Sequence, residues 1–446
     1  MQNPPIQLGD PQALRQLLIS RGAPDRTDDE SLLRIARSPD HKLAITVLSA
    51  LESAGRELSQ AQQAELQDNR RRIARYREAW SVISAVAPKA RLVKGPTIAA
   101  FYPAGLLRSA GDLDVICPQA ELWLAARALI DDGWQVGTFT VLPAAATAPV
   151  GSTGQAGPGG EDDCRWHILV ELSQPSDSDV IDEAYGVELR TVEVATTLRA
   201  TARRTGGPLA SAAANVFALV AERWERPFRS RDIFDLAVLS ERLDAAERGR
   251  LRAALTATGL WPEMRELARL LRRSGLRPAP DLPGSRWLAW RSRAVRLASA
   301  VALWSSPVRI LGILSVATVD ADHGTLADRL AQVVQQRIGS WRLLRRGLPL
   351  FGVPLLGGPQ AEAAQAEAAR AEAARAEAAR SSGLPANAVR AEAAQSSGLP
   401  ANAVRLERRG AHVLAFTPVG AFLMVAGSCP QNWLTEAAGG LAVATS

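Results

Sequence analysis

The chain predicts an α/β (α+β) fold, a small mixed sheet with flanking helices, and three observations predict it. Leu, Ile and Ala recur at near-helical spacing before residue 88 and again after residue 201. Between these stretches lie three short runs of strand character, 112–117, 134–142 and 165–172. Gly and Pro punctuate the joins, at Pro88, Gly95 and Gly133.

Taken in order, Leu14, Leu17 and Leu18, then Leu32, Leu33 and Ile35, mark amphipathic helices. Glu57 to Ala87 reads as one long helix, and Thr97 to Tyr102 as a short one. Asp112 to Cys117 alternates as a strand, with Leu113, Val115 and Cys117 opposite Asp112, Asp114 and Ile116. Glu121 to Asp132 is a helix closed by Gly133. The two later strands flank a Gly-, Ala- and Pro-rich loop, Pro143 to Gly160. Ala212 to Trp224 and Ile233 to Leu243 open a second helical region. His412 to Phe416 and Ala421 to Val425 read as a hairpin around 417–420. The expected organisation is a helical region over 1–88, a core over 89–200, a helical domain over 201–358, a spacer over 359–405 and a C-terminal segment over 406–446. AEAAQ and AEAAR units fill the spacer. Five residues advance a helix by about 500°, so no apolar stripe forms and a solvated spacer is expected.

A net charge of +6 permits a polyanionic partner without requiring one. Three scattered cysteines, Cys117, Cys164 and Cys429, do not make a disulfide framework or a zinc site. Leu297 to Val319 is the most membrane-like stretch, but Pro307 and Arg309 interrupt it, so no stable membrane insertion is expected. A cytoplasmic setting is expected. Arg supplies almost all the positive charge; the lysines are Lys42, Lys89 and Lys94, which makes each lysine an informative choice.

The chemistry concentrates in RLVKGPTIAAFYPAGLLRSAGDLDVICP, residues 91–118. Period-two geometry aims Asp112 and Asp114 at one face of a strand. Two like charges so placed make sense around a divalent cation, and hard oxygen donors suit magnesium. Glu171 is the candidate third carboxylate, to complete the metal site or accept a proton. Gly95 lets the backbone approach a phosphate, and Arg108 is of a length to reach phosphate oxygens. Trp287 and Trp290 with Arg286, Arg291 and Arg293 read as one face of a packed helix or as a basic aromatic surface for RNA. Arg231 and Asp232 read as a structural ion pair.

Lys94-Gly95, Tyr102, Arg108 and Asp112-Leu113-Asp114 together resemble the uncharacterised bacterial nucleotidyltransferase family of the polymerase-β superfamily. RSRDIFDLAVL, with Arg229, Arg231, Asp232 and Asp235, also resembles abortive-infection toxin nucleotidyltransferases. The resemblance spans roughly residues 60 to 245, within the usual size of a domain. Pro96-Thr97 stands where a Ser or Gly is common, the third acid is Glu, and the 143–160 loop is long. The resemblance implies transfer of a nucleoside monophosphate from a nucleoside triphosphate to an acceptor, which would be a small molecule, peptide or RNA. It implies magnesium on Asp112, Asp114 and Glu171, with Lys94, Gly95, Thr97 and Arg108 holding the triphosphate. A non-catalytic scaffold on the same fold and a toxin-like enzyme modifying tRNA are the alternatives.

Overall fold

The computed structural model describes residues 8–143, 166–178, 183–191, 211–224, 226–276, 287, 289–290, 340, 350–354, 404–409 and 412–425. In chain order they form α1 (Pro11–Ser20), α2 (Asp29–Arg37), α3 (Ala44–Ser53), α4 (Gln60–Val86), β1 (Arg91–Val93), α5 (Gly95–Ala99) and β2 (Asp112–Ile116). Next come α6 (Gln119–Asp131), β3 (Gln135–Pro143), β4 (Trp166–Gln174), β5 (Tyr185–Arg190), α7 (Ser211–Ala221) and a 3-10 turn, Glu222–Trp224. Then follow α8 (Ser230–Ser240), α9 (Ala245–Thr258), α10 (Trp261–Arg273), β6 (Leu350–Pro354), β7 (Arg405–Arg409), β8 (His412–Thr417) and β9 (Gly420–Val425). The fold is mixed α/β. The spacer, the 143–160 loop beyond its first residue and Leu297–Val319 lie outside the described residues.

The chain divides into two compact units. The first comprises Met1–Ser81, Arg91–Ile116 and Ser173–Ser306; the second comprises Val82–Ala90, Cys117–Leu172 and Pro307–Ser446. These borders differ from the expected ones at 88/89 and 200/201. The reason is burial. The apolar stripes of α1–α3 and of α7–α10 meet in one hydrophobic core, which includes Leu14, Leu48, Ile98, Phe217, Phe234 and Trp261. Each such side chain contributes roughly 1.5–3 kcal/mol when removed from water. Helices far apart in sequence therefore complete one another rather than forming separate domains.

Local signals set the helix starts. The Asp10 carboxylate accepts the Gln12 N–H at 2.8 Å ahead of Pro11, and Asp28 accepts the Ser31 N–H at 2.8 Å. Gly259, with φ 73°, closes α9 in the left-handed conformation.

Within the first unit β2 lies between β1 and β5. It pairs antiparallel with β1, Val93 opposite Asp114, and parallel with β5, Asp112 opposite Gly186 and Asp114 opposite Glu188. One face of α4 pins this arrangement. Asn69 Oδ1 accepts the Ala110 N–H at 3.0 Å. Arg72 donates to the Glu183 and Ala184 carbonyls at 2.6 and 3.1 Å. The Tyr76 hydroxyl donates to the Gly111 carbonyl at 2.5 Å and accepts the Gly186 N–H at 3.2 Å. Residues 69, 72 and 76 recur at helical spacing, so about two turns of helix hold the entrances of both β2 and β5.

In the second unit the hairpin expected near residue 418 is present as β8 and β9, antiparallel with Thr417 opposite Gly420. β6 pairs with β9 and with β3, and β7 pairs with β8, all antiparallel. Leu414, Leu423 and Val425 make a small apolar cluster there. Among the described residues no helix is long and apolar enough to cross a membrane.

Candidate functional site

Lys94 and Gly95 turn the chain from β1 into α5. Lys94 has φ 57° and Gly95 has φ 30°, so both sit in the left-handed region. A Cβ on Gly95 would stand 3.1 Å from the Asp112 carbonyl oxygen. Only glycine lets the turn lie this close to β2 without strain. Asn215 of α7 clamps the turn: its Oδ1 accepts the Lys94 N–H at 2.7 Å and the Thr97 hydroxyl lies 2.8 Å away. Thr97 is thus a structural brace of the turn, its hydroxyl also 2.6 Å from the Lys94 carbonyl.

Asp112 and Asp114 differ sharply in setting. Leu113, Asp114, Val115 and Ile116 are all buried, so β2 is covered on both faces and only Asp112 reaches solvent. Lys94 Nζ approaches Asp114 Oδ1 at 3.7 Å, and Arg190 of β5 pairs with the same oxygen. The Arg190 Nε also lies 3.2 Å from Glu188, so one guanidinium bridges Asp114 and Glu188. Asp114 Oδ2 is buried and has no hydrogen-bond partner among the described residues. Lys94 pairs in turn with Glu222, Glu222 with Arg226 at 3.1 Å, and Arg226 with Asp232 at 2.6 Å. Charges of alternating sign therefore run from β2 to the start of α8.

This chain of charges sets the protonation states. Burial pushes the Asp114 carboxyl up, while Lys94 and Arg190 pull it down; the net shift is upward. Burial acts to lower the Lys94 ammonium, but Asp114 and Glu222 outweigh it and hold the lysine charged. Burial likewise opposes ionisation of Glu222, yet Lys94 and Arg226 bring its carboxyl down to about 2.

Arg108 is turned to a different task from the one expected. Its guanidinium pairs with Asp235 of α8 through both nitrogens of one edge, at 2.8 and 3.1 Å, with both side chains buried. The Tyr102 hydroxyl donates to Asp235 at 2.6 Å. Burial and the Asp235 charge raise the Tyr102 hydroxyl well above its ordinary value. Arg108 thus ties the loop before β2 to α8. Asp232 pairs with Arg226 rather than with Arg231, and its carboxylate accepts the Arg229 N–H at 2.7 Å at the entry of α8.

Glu171 lies on β4 in the second unit, exposed, accepting the Thr138 hydroxyl at 2.7 Å. The first unit supplies its own acid, Glu188, in register with Asp114 on the neighbouring parallel strand. Sequence reasoning passed over it, although Tyr185, Val187 and Leu189 alternate in the strand manner and carry a readable signal. Trp287 and Trp290 are exposed, 61% and 65%, in place of the packed helix face that was one of their two readings.

The donor chemistry fits a hard divalent cation in part. Asp114 Oδ2 is an unpartnered buried carboxylate oxygen, and Asp112 follows at the solvent edge of the same strand. Among the described residues no three His, Cys, Asp or Glu side chains are gathered as metal ligands, and Arg190 stands on both Asp114 and Glu188. Comparison with family models, characterised proteins and solved structures gave no match to this chain.

Proposed function

We propose that the first unit is a nucleotidyltransferase, moving a nucleoside monophosphate from a nucleoside triphosphate to an acceptor hydroxyl with release of pyrophosphate. One observation carries this reading. The Lys94–Gly95 turn and the Asp112–Leu113–Asp114 strand, well separated in sequence, lie against each other, with Gly95 packed on the Asp112 carbonyl and Lys94 on Asp114. A half-buried lysine in a strained backbone beside a pair of acids suits a phosphate-handling site.

In this reading Asp112 and Asp114 would hold magnesium. When bound, magnesium supplies neutralisation of phosphate charge. Lys94, kept charged by Asp114 and Glu222, neutralises a phosphate oxygen. Gly95 lets the substrate approach the backbone, and Thr97 and Asn215 hold the turn in place. Glu188 is our candidate for the third acid, accepting the acceptor's proton once Arg190 turns to the incoming anion. Labelled nucleoside triphosphate tests this: magnesium-dependent pyrophosphate release by the full chain, lost in Asp112→Asn and Asp114→Asn, supports it. Absence of release with every nucleotide and with candidate RNA acceptors rejects it.

A second reading, a non-catalytic binding protein on the same scaffold, has one observation in its favour. Lys94 and Arg190 already balance Asp114 without a metal ion. Binding of nucleotide without turnover would select it.

A further inference from the structure

Two of the three lysines in the chain share an uncommon backbone. Lys42 (φ 49°) and Lys94 (φ 57°) are the non-glycine residues with positive φ among the described residues. A left-handed non-glycine residue costs roughly 1–2 kcal/mol, so each position needs a compensating reason. Lys94 belongs to the acid pair already described. Lys42 does not.

Lys42 stands in the segment leading into α3, and that segment is tied to the start of α8. The Ser230 N–H donates to the Asp40 carbonyl at 3.1 Å and the Arg231 N–H to the His41 carbonyl at 3.0 Å. The His41 ring lies 2.6 Å from the Ser230 hydroxyl. These bonds bring Lys42 within electrostatic reach of Arg229, Arg231 and Asp112. All three cations are partly buried. Among the described residues none of the three forms an ion pair, and the buried Arg231 Nε has no hydrogen-bond partner.

Such a cluster works against itself. Burial lowers the Lys42 ammonium, and Arg229 lowers it further. Burial lowers the Arg229 guanidinium too, with Arg226 and Arg231 adding to the effect. Half-buried cations that have no ion pair of their own are stabilised when an anion joins them. Glu183 and Asp112 pull the Lys42 ammonium back up, and Asp232 and Glu222 do the same for Arg229, but among the described residues none of these acids forms an ion pair with Lys42 or Arg229.

We propose that Lys42, Arg229 and Arg231 form an anion site that takes a phosphate group beside Asp112. Its identification with the triphosphate of the substrate rests on the nucleotidyltransferase reading; the anion site itself does not. Arg229 and Arg231 offer planar, many-donor recognition and Lys42 a point charge, a pairing suited to a phosphate chain.

Titration calorimetry with inorganic tripolyphosphate, without metal, tests the site. The full chain should bind it, with affinity falling as salt rises. Lys42→Gln and Arg229→Gln should each weaken binding about 10- to 100-fold, the worth of one charge-assisted hydrogen bond. Lys42 and Arg229 are only partly buried, so both variants should fold, and their unfolding midpoints verify it. No binding by the wild type, or equal binding by folded variants, overturns the inference. The two readings separate cleanly. Tripolyphosphate binding lost in the variants, with no pyrophosphate release by the wild type, keeps the anion site and rejects the enzyme. Pyrophosphate release with unchanged KM in Lys42→Gln and Arg229→Gln keeps the enzyme and rejects the anion site.

Discussion

Two clusters of paired opposite charges lie in the first unit, and they are built differently. In the first, Asp235 receives Arg108 through two nitrogens and Tyr102 through its hydroxyl, and the group is closed. In the second, Asp114 meets Lys94 and Arg190 at one oxygen while its other oxygen has no hydrogen-bond partner among the described residues, two positions from exposed Asp112. A satisfied network contributes specificity and rigidity; a network with an open acceptor next to solvent has capacity for a ligand. The difference separates a structural tie from a candidate site more firmly than residue type does, since both contain the same chemistry of Asp with a cation.

The comparison can be broken most forcefully at the closed cluster. Asp235→Ala leaves Arg108 buried and uncompensated and should cost about 3–5 kcal/mol in urea unfolding. Arg108→Met with Asp235→Leu should recover most of that loss; a single variant as stable as wild type would remove the distinction. At the open cluster, Asp114→Asn should lower pyrophosphate release about 100-fold or more. Its unfolding midpoint should fall less than that of Asp235→Ala, and the reverse order would make Asp114 the structural residue. Asn215→Ala leaves the Lys94 N–H without its acceptor and should cost about 1–3 kcal/mol, with a rise in KM marking the loosened turn. The smallest effect is the acid limb. The Glu222 carboxyl lies below its ordinary 4.5, at about 2. Its contribution to stability is therefore complete above about pH 4.5 and fades as the pH falls toward 2. Glu222→Gln should flatten the thermal-denaturation curve against pH in that window, and an unchanged slope would show that Lys94 does not depend on Glu222.

The elements most legible in the sequence were those whose periodicity is local. The long helix α4, the strand β2 and the β8–β9 hairpin all carry their pattern within one continuous stretch. The pair Asp112 and Asp114 was legible for the same reason. β5 went unread although its alternation was present, and with it Glu188 and Arg190. Arg108 was read toward a phosphate because Asp235, its partner, lies 127 positions further on. Long-range pairing leaves no mark at either end: an arginine before a Gly-Asp sequence looks the same whether it awaits a phosphate or a carboxylate.

By itself the sequence determined the order and kind of its clearest elements, the Lys-Gly turn and the two acids on one strand, because these depend on periods of two and 3.6 and on glycine's freedom at positive φ. Tertiary structure alone decided that Asp112 meets water while Asp114 is covered, that Arg190 bridges Asp114 to Glu188, and that the segment before Lys42 is bonded to the start of α8 at Ser230 and Arg231. Burial and charge pairing are properties of the space between elements, and that space exists only after the helices from both ends of the unit have closed on one core.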